Sequence, residues 1–212
     1  MPFRVKEIFR TIQGEGALTG TPAIFVRFAG CNLWSGHETR RDVDARRHAV
    51  ACPLFCDTDF RGGTMMEQDA IVDMACALSR GDDLIVLTGG EPTLQVTPEL
   101  VDALARHFAC VAMETNGTHA VDALKLDWVT VSPKEPVDRV TVRRGDEIKV
   151  VFPYYDPAAY EAIRSGFRYA FVMPADASAQ HATHALQFCL DHPGWRLACQ
   201  MHKQPGIAGV VG

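Results

Sequence analysis

The feature that most constrains this chain is a rhythm. Short apolar runs alternate with helical patterns, and nearly every apolar run ends in a glycine-rich or polar cluster. Leu84–Leu87 runs into Thr88-Gly89-Gly90-Glu91-Pro92, and Cys110–Met113 into Glu114-Thr115-Asn116-Gly117. Trp128–Val131 ends in Ser132-Pro133-Lys134, and Tyr169–Met173 in Pro174-Ala175-Asp176. Helical periodicity lies between them at Met66–Ser79, Pro98–Phe108, Pro157–Ser165 and His181–His192, and further strands are expected at Glu147–Phe152 and Trp195–Gln200. Strands alternating with helices predict parallel βα units joined by right-handed crossovers. Barrels of parallel strands carry their active sites at the carboxyl ends of the strands, where these clusters fall. About six parallel strands are too few for a closed eight-unit barrel, so the expected fold is α/β, an open partial (β/α) barrel.

Upstream, Val5–Thr11 reads as a strand entering Ile12-Gln13-Gly14-Glu15-Gly16, where two glycines flank a carboxylate as in a hairpin turn. Pro22–Ala29 is a strand with two faces, Ile24, Val26 and Phe28 alternating with Phe25, Arg27 and Ala29. A length of 212 residues suits one core, and a single domain over 1–212 is expected, with a charged helical insertion at about 35–50. The formal charge of −5 leaves no basic footprint, which argues against direct nucleic-acid binding. No apolar run reaches membrane-spanning length, and the cytoplasm is the default compartment.

Seven cysteines, an odd number, favour metal ligands or free thiols over a disulfide framework there. Three of them, Cys31, Cys52 and Cys56, fall in one stretch. Zinc completed by His37 or His48 and an iron–sulfur cluster with one open iron both suit such thiolates. Cys76, Cys110, Cys189 and Cys199 lie in expected helices or strands and read as small apolar packing residues.

Seven motifs, taken in order, resolve that choice by resemblance. They are Thr11–Gly16, Val26–Trp34, Cys56–Phe60, Thr88–Pro92, Glu114–Gly117, Val131–Lys134 and the late Gln200-Met201-His202-Lys203. Together they resemble the radical S-adenosylmethionine superfamily and, within it, the 7-carboxy-7-deazaguanine synthases of queuosine and deazapurine biosynthesis. The resemblance implies that Cys31, Cys52 and Cys56 hold a 4Fe-4S cluster. It implies an S-adenosyl-L-methionine site at Phe55, Asp57, Gly90, Glu114, Ser132, Pro133, Lys134, Met173, Pro174, Ala175 and Asp176. Thr58 would bind Mg2+, an oxygen ligand for a hard cation. Ile12, Gln13, Gly14, Glu15, Arg27 and Thr88 would contact a pterin, 6-carboxy-5,6,7,8-tetrahydropterin. An electron donor such as flavodoxin and a homodimer are implied in the same way.

The implied chemistry is a radical ring contraction with loss of ammonia, begun by taking hydrogen from a C–H bond that no side-chain base could deprotonate. Two rivals differ in kind. An activase acting on a protein partner would need a cleft open to a peptide, against which the small-substrate motifs at Gln13 and Arg27 argue. A zinc-stabilised binding module would use the cysteines and His48 but leave the strand-end motifs without a task. Twenty residues separate Cys31 from Cys52, a longer first gap than the superfamily's usual three, which members of this family can carry. Three features depart from the expected pattern. Three residues separate Cys52 from Cys56 where two are usual. Met173 stands where a polar residue is expected, and the tail runs on past Lys203. For Arg27 the competing expectation is an internal ion pair with Glu7 or Glu15.

The ligand set is testable directly. Replacing Cys31, Cys52 or Cys56 by Ala should abolish the cluster's visible absorbance in anaerobically purified protein, while Ala at Cys76, Cys110, Cys189 or Cys199 should preserve it. A cluster that survives Cys52→Ala would show that the spacing has been misread.

Overall fold

The computed structural model describes residues 1–48, 56–175 and 178–203. β1 (Phe3–Ile12) and β2 (Pro22–Phe28) form an antiparallel hairpin in which Glu7 lies opposite Arg27 and Ile12 opposite Pro22. Gln13 and the residues that follow make the expected turn. Gln13 N–H donates to the Thr21 carbonyl and Gly20 N–H to that of Gln13, both at 2.8 Å. β3 (Thr64–Met66) pairs antiparallel with the outer side of β1. On its other side β2 begins a parallel run through β4 (Leu84–Gly89), β5 (Cys110–Thr115), β6 (Trp128–Val131), β7 (Gly145–Phe152), β8 (Phe167–Pro174) and β9 (Arg196–Leu197), each strand beside its predecessor.

The sheet therefore has nine strands among the described residues, seven of them in the parallel run where about six were expected. The expectation missed β3, whose three residues are too short to show alternation and whose last residue, Met66, reads as the start of the next helix. It overextended β9, which has two residues, and Cys199 lies beyond that strand and is exposed, so its expected packing role is not what the fold provides. Cys76, Cys110 and Cys189 are partly buried against apolar neighbours as expected.

Five α-helices are described: α1 (Arg41–His48), α2 (Gln68–Leu78), α3 (Pro98–Leu104), α4 (Glu161–Arg164) and α5 (Ala179–Asp191). Their ends carry the signals expected of helix starts. Pro98 opens α3 behind Thr97, whose side chain accepts from Leu100 N–H, and Ser178 caps α5 by accepting from His181 N–H. α1 occupies the charged insertion. Its buried Asp44 accepts from Ser35 N–H at 3.0 Å and Ser35 Oγ–H at 2.6 Å, which holds that carboxyl below its usual range.

Period-two alternation sends the side chains of the parallel strands to two different environments. Ile24, Val26 and Phe28 of β2, Ile85 and Leu87 of β4, Val111 and Met113 of β5 and Ile148 and Val150 of β7 join the main core against the helices. Ala23, Phe25, Leu84, Val86 and Ala112 form a second, smaller cluster on the other face. Continuing along that second face toward the carboxyl ends, Arg27 follows Phe25, Thr88 follows Val86 and Glu114 follows Ala112. The same alternation thus lays an apolar floor and then a polar rim.

The rim is tied together by Glu91, which has no exposed surface. Its Oε1 accepts from Thr93 N–H at 3.1 Å, Thr93 Oγ–H at 2.6 Å and Thr115 Oγ–H at 2.7 Å, and its Oε2 accepts from Asn116 N–H at 2.7 Å. Asn116 Nδ2 in turn donates to Asn32 Oδ1 at 2.9 Å, which brings the segment after Cys31 into the same network. Gly89 and Gly90 make the close approach possible. A side chain at Gly89 would meet the Phe28 carbonyl oxygen at 2.1 Å and one at Gly90 the Gly30 carbonyl oxygen at 2.0 Å. Glu91→Gln should cost about 1.5–3 kcal/mol, the scale for a bond to a charged group, because an amide cannot accept at both ends. A fall in urea midpoint at unchanged m-value would show it; an unchanged midpoint would remove Glu91 from this role.

Candidate active site

At the carboxyl ends of the parallel strands lies a cleft of about 560 Å³. Ile12, Gln13, Gly14 and Glu15 reach it from the turn after β1, Arg27 from β2 and Thr88 from β4, so all six residues singled out for substrate border one space. Gly90, Glu114, Ser132, Lys134 and Met173 border it from the ends of β4, β5, β6 and β8. Cys56, Asp57 and Thr58 complete one side. Pro133, Pro174, Ala175 and Cys31 do not line the cleft, although Pro133 and Pro174 immediately adjoin residues that do. Ala175 is buried, its N–H donating to the Phe152 carbonyl at 2.7 Å, so it braces the end of β8. Cys52, Phe55 and Asp176 lie outside the described residues.

Cys31 and Cys56 pack against the same small group, Leu33, Trp34, Ala45 and Phe60. Burial pushes the Cys31 thiol up, and backbone N–H groups of Leu33 and Trp34 pull it part of the way back. Such a thiol is poor as a free nucleophile and becomes a thiolate when a metal takes the proton's place. Arg41, from α1, anchors the segment: its Nη2 donates to the Cys56 carbonyl at 2.7 Å, and its guanidinium lies 4.0 Å from the Trp34 ring centroid. Among the described residues no three His, Cys, Asp or Glu side chains assemble as a metal site. The two thiols present are donors that fit an iron–sulfur cluster.

Charges in the cleft are paired with opposite charges. Lys203 pairs with Asp57, and this outweighs the effect of burial to hold that carboxyl below its usual range. Lys6 lies 3.0 Å from Asp59, whose carboxyl is lowered to about 2 by the Arg61 N–H and by Lys6. Thr58 lies between these two residues in sequence and borders the cleft. Arg27 Nε donates to Glu7 Oε1 at 2.7 Å across the hairpin, so the internal ion pair weighed for it exists, with Glu7 as the partner. Lys134 Nζ donates to Ser132 Oγ at 2.8 Å and lies 5.5 Å from the Tyr155 ring, and burial pushes its ammonium below its usual range.

Sequence reasoning missed Lys149 and Glu147 on β7. Lys149 borders the cleft and pairs with Glu15, and Glu147 accepts from Ala17 N–H at 2.9 Å and Thr130 Oγ–H at 2.7 Å. Their signal was a charged pair two residues apart inside an otherwise apolar strand, the pattern of charges on an interior face.

No protein-family model matches the chain. Among curated proteins it is 43% identical to 7-carboxy-7-deazaguanine synthase of Bordetella pertussis, over 98% of this chain and all of that one. It is 44% identical to the enzyme of the same name from Bradyrhizobium diazoefficiens with the same coverage, and 29% identical to that of Escherichia coli K12. The fold is similar to the crystal structure of QueE from Escherichia coli, with a TM-score of 0.70, 24% identity and 95% of each chain covered. Identity above 40% over essentially complete chains leaves one conclusion: this chain belongs to the 7-carboxy-7-deazaguanine synthase family.

Proposed function

We propose that the chain is a 7-carboxy-7-deazaguanine synthase that converts 6-carboxy-5,6,7,8-tetrahydropterin to 7-carboxy-7-deazaguanine with loss of ammonia. The observation that carries the reading is the match at 43% identity over 98% of this chain and all of a relative bearing that name. The cleft supports it: its volume suits a small ligand with a cofactor beside it, and its polar groups converge from six strands. On this reading the curved sheet is an open partial barrel and residues 1–212 are one domain.

Cys31, Cys52 and Cys56 would hold a 4Fe-4S cluster, and Gly90, Ser132, Lys134 and Met173 would border S-adenosyl-L-methionine. When bound, these groups supply one-electron cleavage to a carbon-centred radical, which can take hydrogen from an unactivated C–H bond. The residues of the chain have the remaining tasks. Thr58 offers an oxygen ligand to Mg2+ beside Asp57 and Asp59, whose own charges are already met by lysines. Gln13, Glu15 and Thr88 present amide, carboxylate and hydroxyl groups to the polar edges of a pterin. Phe9 and Phe25 border the cleft as its apolar side, backed by Val86 and Ala112, and would keep water from the ring. Arg27 spends Nε on Glu7, and its two terminal nitrogens are the donors that match a substrate carboxylate. A one-electron donor such as flavodoxin, and a homodimer, follow from the family and belong to the same proposal.

Turnover of the carboxypterin by anaerobically reconstituted protein tests the reaction, and absence of the deazapurine product would overturn it. Arg27 has its own test. Arg27→Ala should cost about 2–5 kcal/mol of pterin binding, the scale for removing one partner of a buried charge pair. It should cost stability little, since the pair it leaves is partly exposed. Arg27→Lys should rescue little, because an ammonium lacks the fork. Calorimetric titration decides, and wild-type affinity in folded Arg27→Ala protein would remove Arg27 from the substrate site.

A further inference from the structure

We propose that Lys149 is the positioning residue of the cleft: its buried ammonium holds the carboxylates of Glu15 and Glu114 together, both ionised, so that two anions face the ligands. The inference rests on the cleft being the pterin and cofactor site. Lys149 Nζ pairs with Glu15 Oε2 and lies 3.8 Å from Glu114 Oε1, and its side chain is 4% exposed. The three residues come from three separate elements, the turn after β1, the end of β5 and the middle of β7. Each carboxylate also accepts from a neutral amide: Gln13 Nε2 donates to Glu114 Oε1 at 3.0 Å, and Gln200 Nε2 to Glu15 Oε1 at 2.7 Å. Two carboxylates in one poorly solvated site do not both ionise without a cation, because each raises the other's affinity for a proton.

The other charges around Lys149 do not take over this task. Glu147, on the same strand, is committed to Ala17 N–H and Thr130 Oγ–H, and burial pushes its carboxyl up. Lys134, a half-buried cation facing the cleft, is bonded to the Ser132 carbonyl and hydroxyl. Burial alone would lower the Lys149 ammonium, but Glu114 and Glu15 outweigh it and keep it well above its ordinary value, so the ion is charged. An ionised carboxylate accepts from N–H and O–H groups, and the amino-pyrimidinone edge of a pterin and the ribose hydroxyls of a nucleoside are both such donors. A protonated carboxyl would turn one acceptor into a donor and misread them.

The sign of the pH effect follows. With Lys149 present both carboxylates face a cation, and ligand affinity should stay flat across the neutral range. With Met there, one of them titrates higher, and ligand affinity falls as pH drops through that raised value, roughly tenfold per unit. The experiment compares cluster-loaded wild type, Lys149→Met and Lys149→Arg by infrared titration between about pH 8 and pH 6, above the ordinary carboxylate range. Lys149→Met should gain a carboxylic-acid band that wild type and Lys149→Arg lack, and adding Glu15→Gln or Glu114→Gln should remove it. Calorimetric titration with the carboxypterin should become pH-dependent in Lys149→Met and stay flat in Lys149→Arg. No new band in folded Lys149→Met, or a band that survives both Glu→Gln changes, overturns the assignment whatever the substrate. A wild type that binds no pterin while the band behaves as expected overturns the substrate reading and leaves the role of Lys149 standing. If Lys149→Met does not fold, Lys149→Met with Glu15→Gln should, because the excess negative charge is gone, and failure of that rescue also overturns the proposal.

Discussion

The polar end of this molecule hangs on one fully buried carboxylate. Glu91 sits where the chain leaves β4, and its four accepted bonds reach Thr93, Thr115 and Asn116, so the loops after β4 and β5 cannot move apart. Through Asn116 and Asn32 the constraint extends to the segment that begins with Cys31. A buried carboxyl group is tolerated only where hydrogen bonds replace its hydration, and here backbone and hydroxyl donors do so. The close backbone passage at Gly89 and Gly90 belongs to the same device, because any side chain there would collide with the carbonyls of Phe28 or Gly30. The two glycines of the Thr88–Pro92 motif are therefore demanded by the fold, whatever else they serve.

The cleft inherits its order from the sheet. In a parallel strand, successive side chains face opposite ways, and here one face meets helices while the other meets the cleft. That face changes character along each strand, from Phe25 to Arg27, Val86 to Thr88 and Ala112 to Glu114. Parallel register puts the change at one level, with Arg27 beside Thr88 and Glu114 beside Thr130. A dry floor below a polar rim suits a planar heterocycle with polar edges, and it is a setting in which a reactive intermediate meets few quenching groups.

Charge in the cleft is abundant but balanced. Lys6 with Asp59, Lys203 with Asp57, Arg27 with Glu7 and Lys149 with Glu15 each join residues distant in sequence. Such pairs contribute modestly to stability where they are exposed. Their larger consequence is to fix which groups carry charge when a ligand arrives. Lys134 and Lys149 differ for this reason: Lys134, with hydroxyl and carbonyl partners, is pushed down, whereas Lys149, facing two carboxylates, is pushed up.

The sequence by itself determined the α/β alternation, the site at the strand ends and most of the residues that border it. Each of these is written locally, in a strand's two-residue period and in the glycine and polar clusters that stop it. Tertiary structure alone decided β3, the shortness of β9, the exposure of Cys199 and the choice of Glu7 as partner of Arg27. It also alone brought Lys149 to Glu15 and Glu114. Three residues cannot display a period, and the partner of a charge is set by which strands lie side by side. Arg27 faces Glu7 because a hairpin register places them opposite one another. Lys149 meets Glu15 because β7, five places along the sheet from β1, curves back toward the turn that follows that strand. Such proximity is a property of the assembled sheet, and no local pattern encodes it.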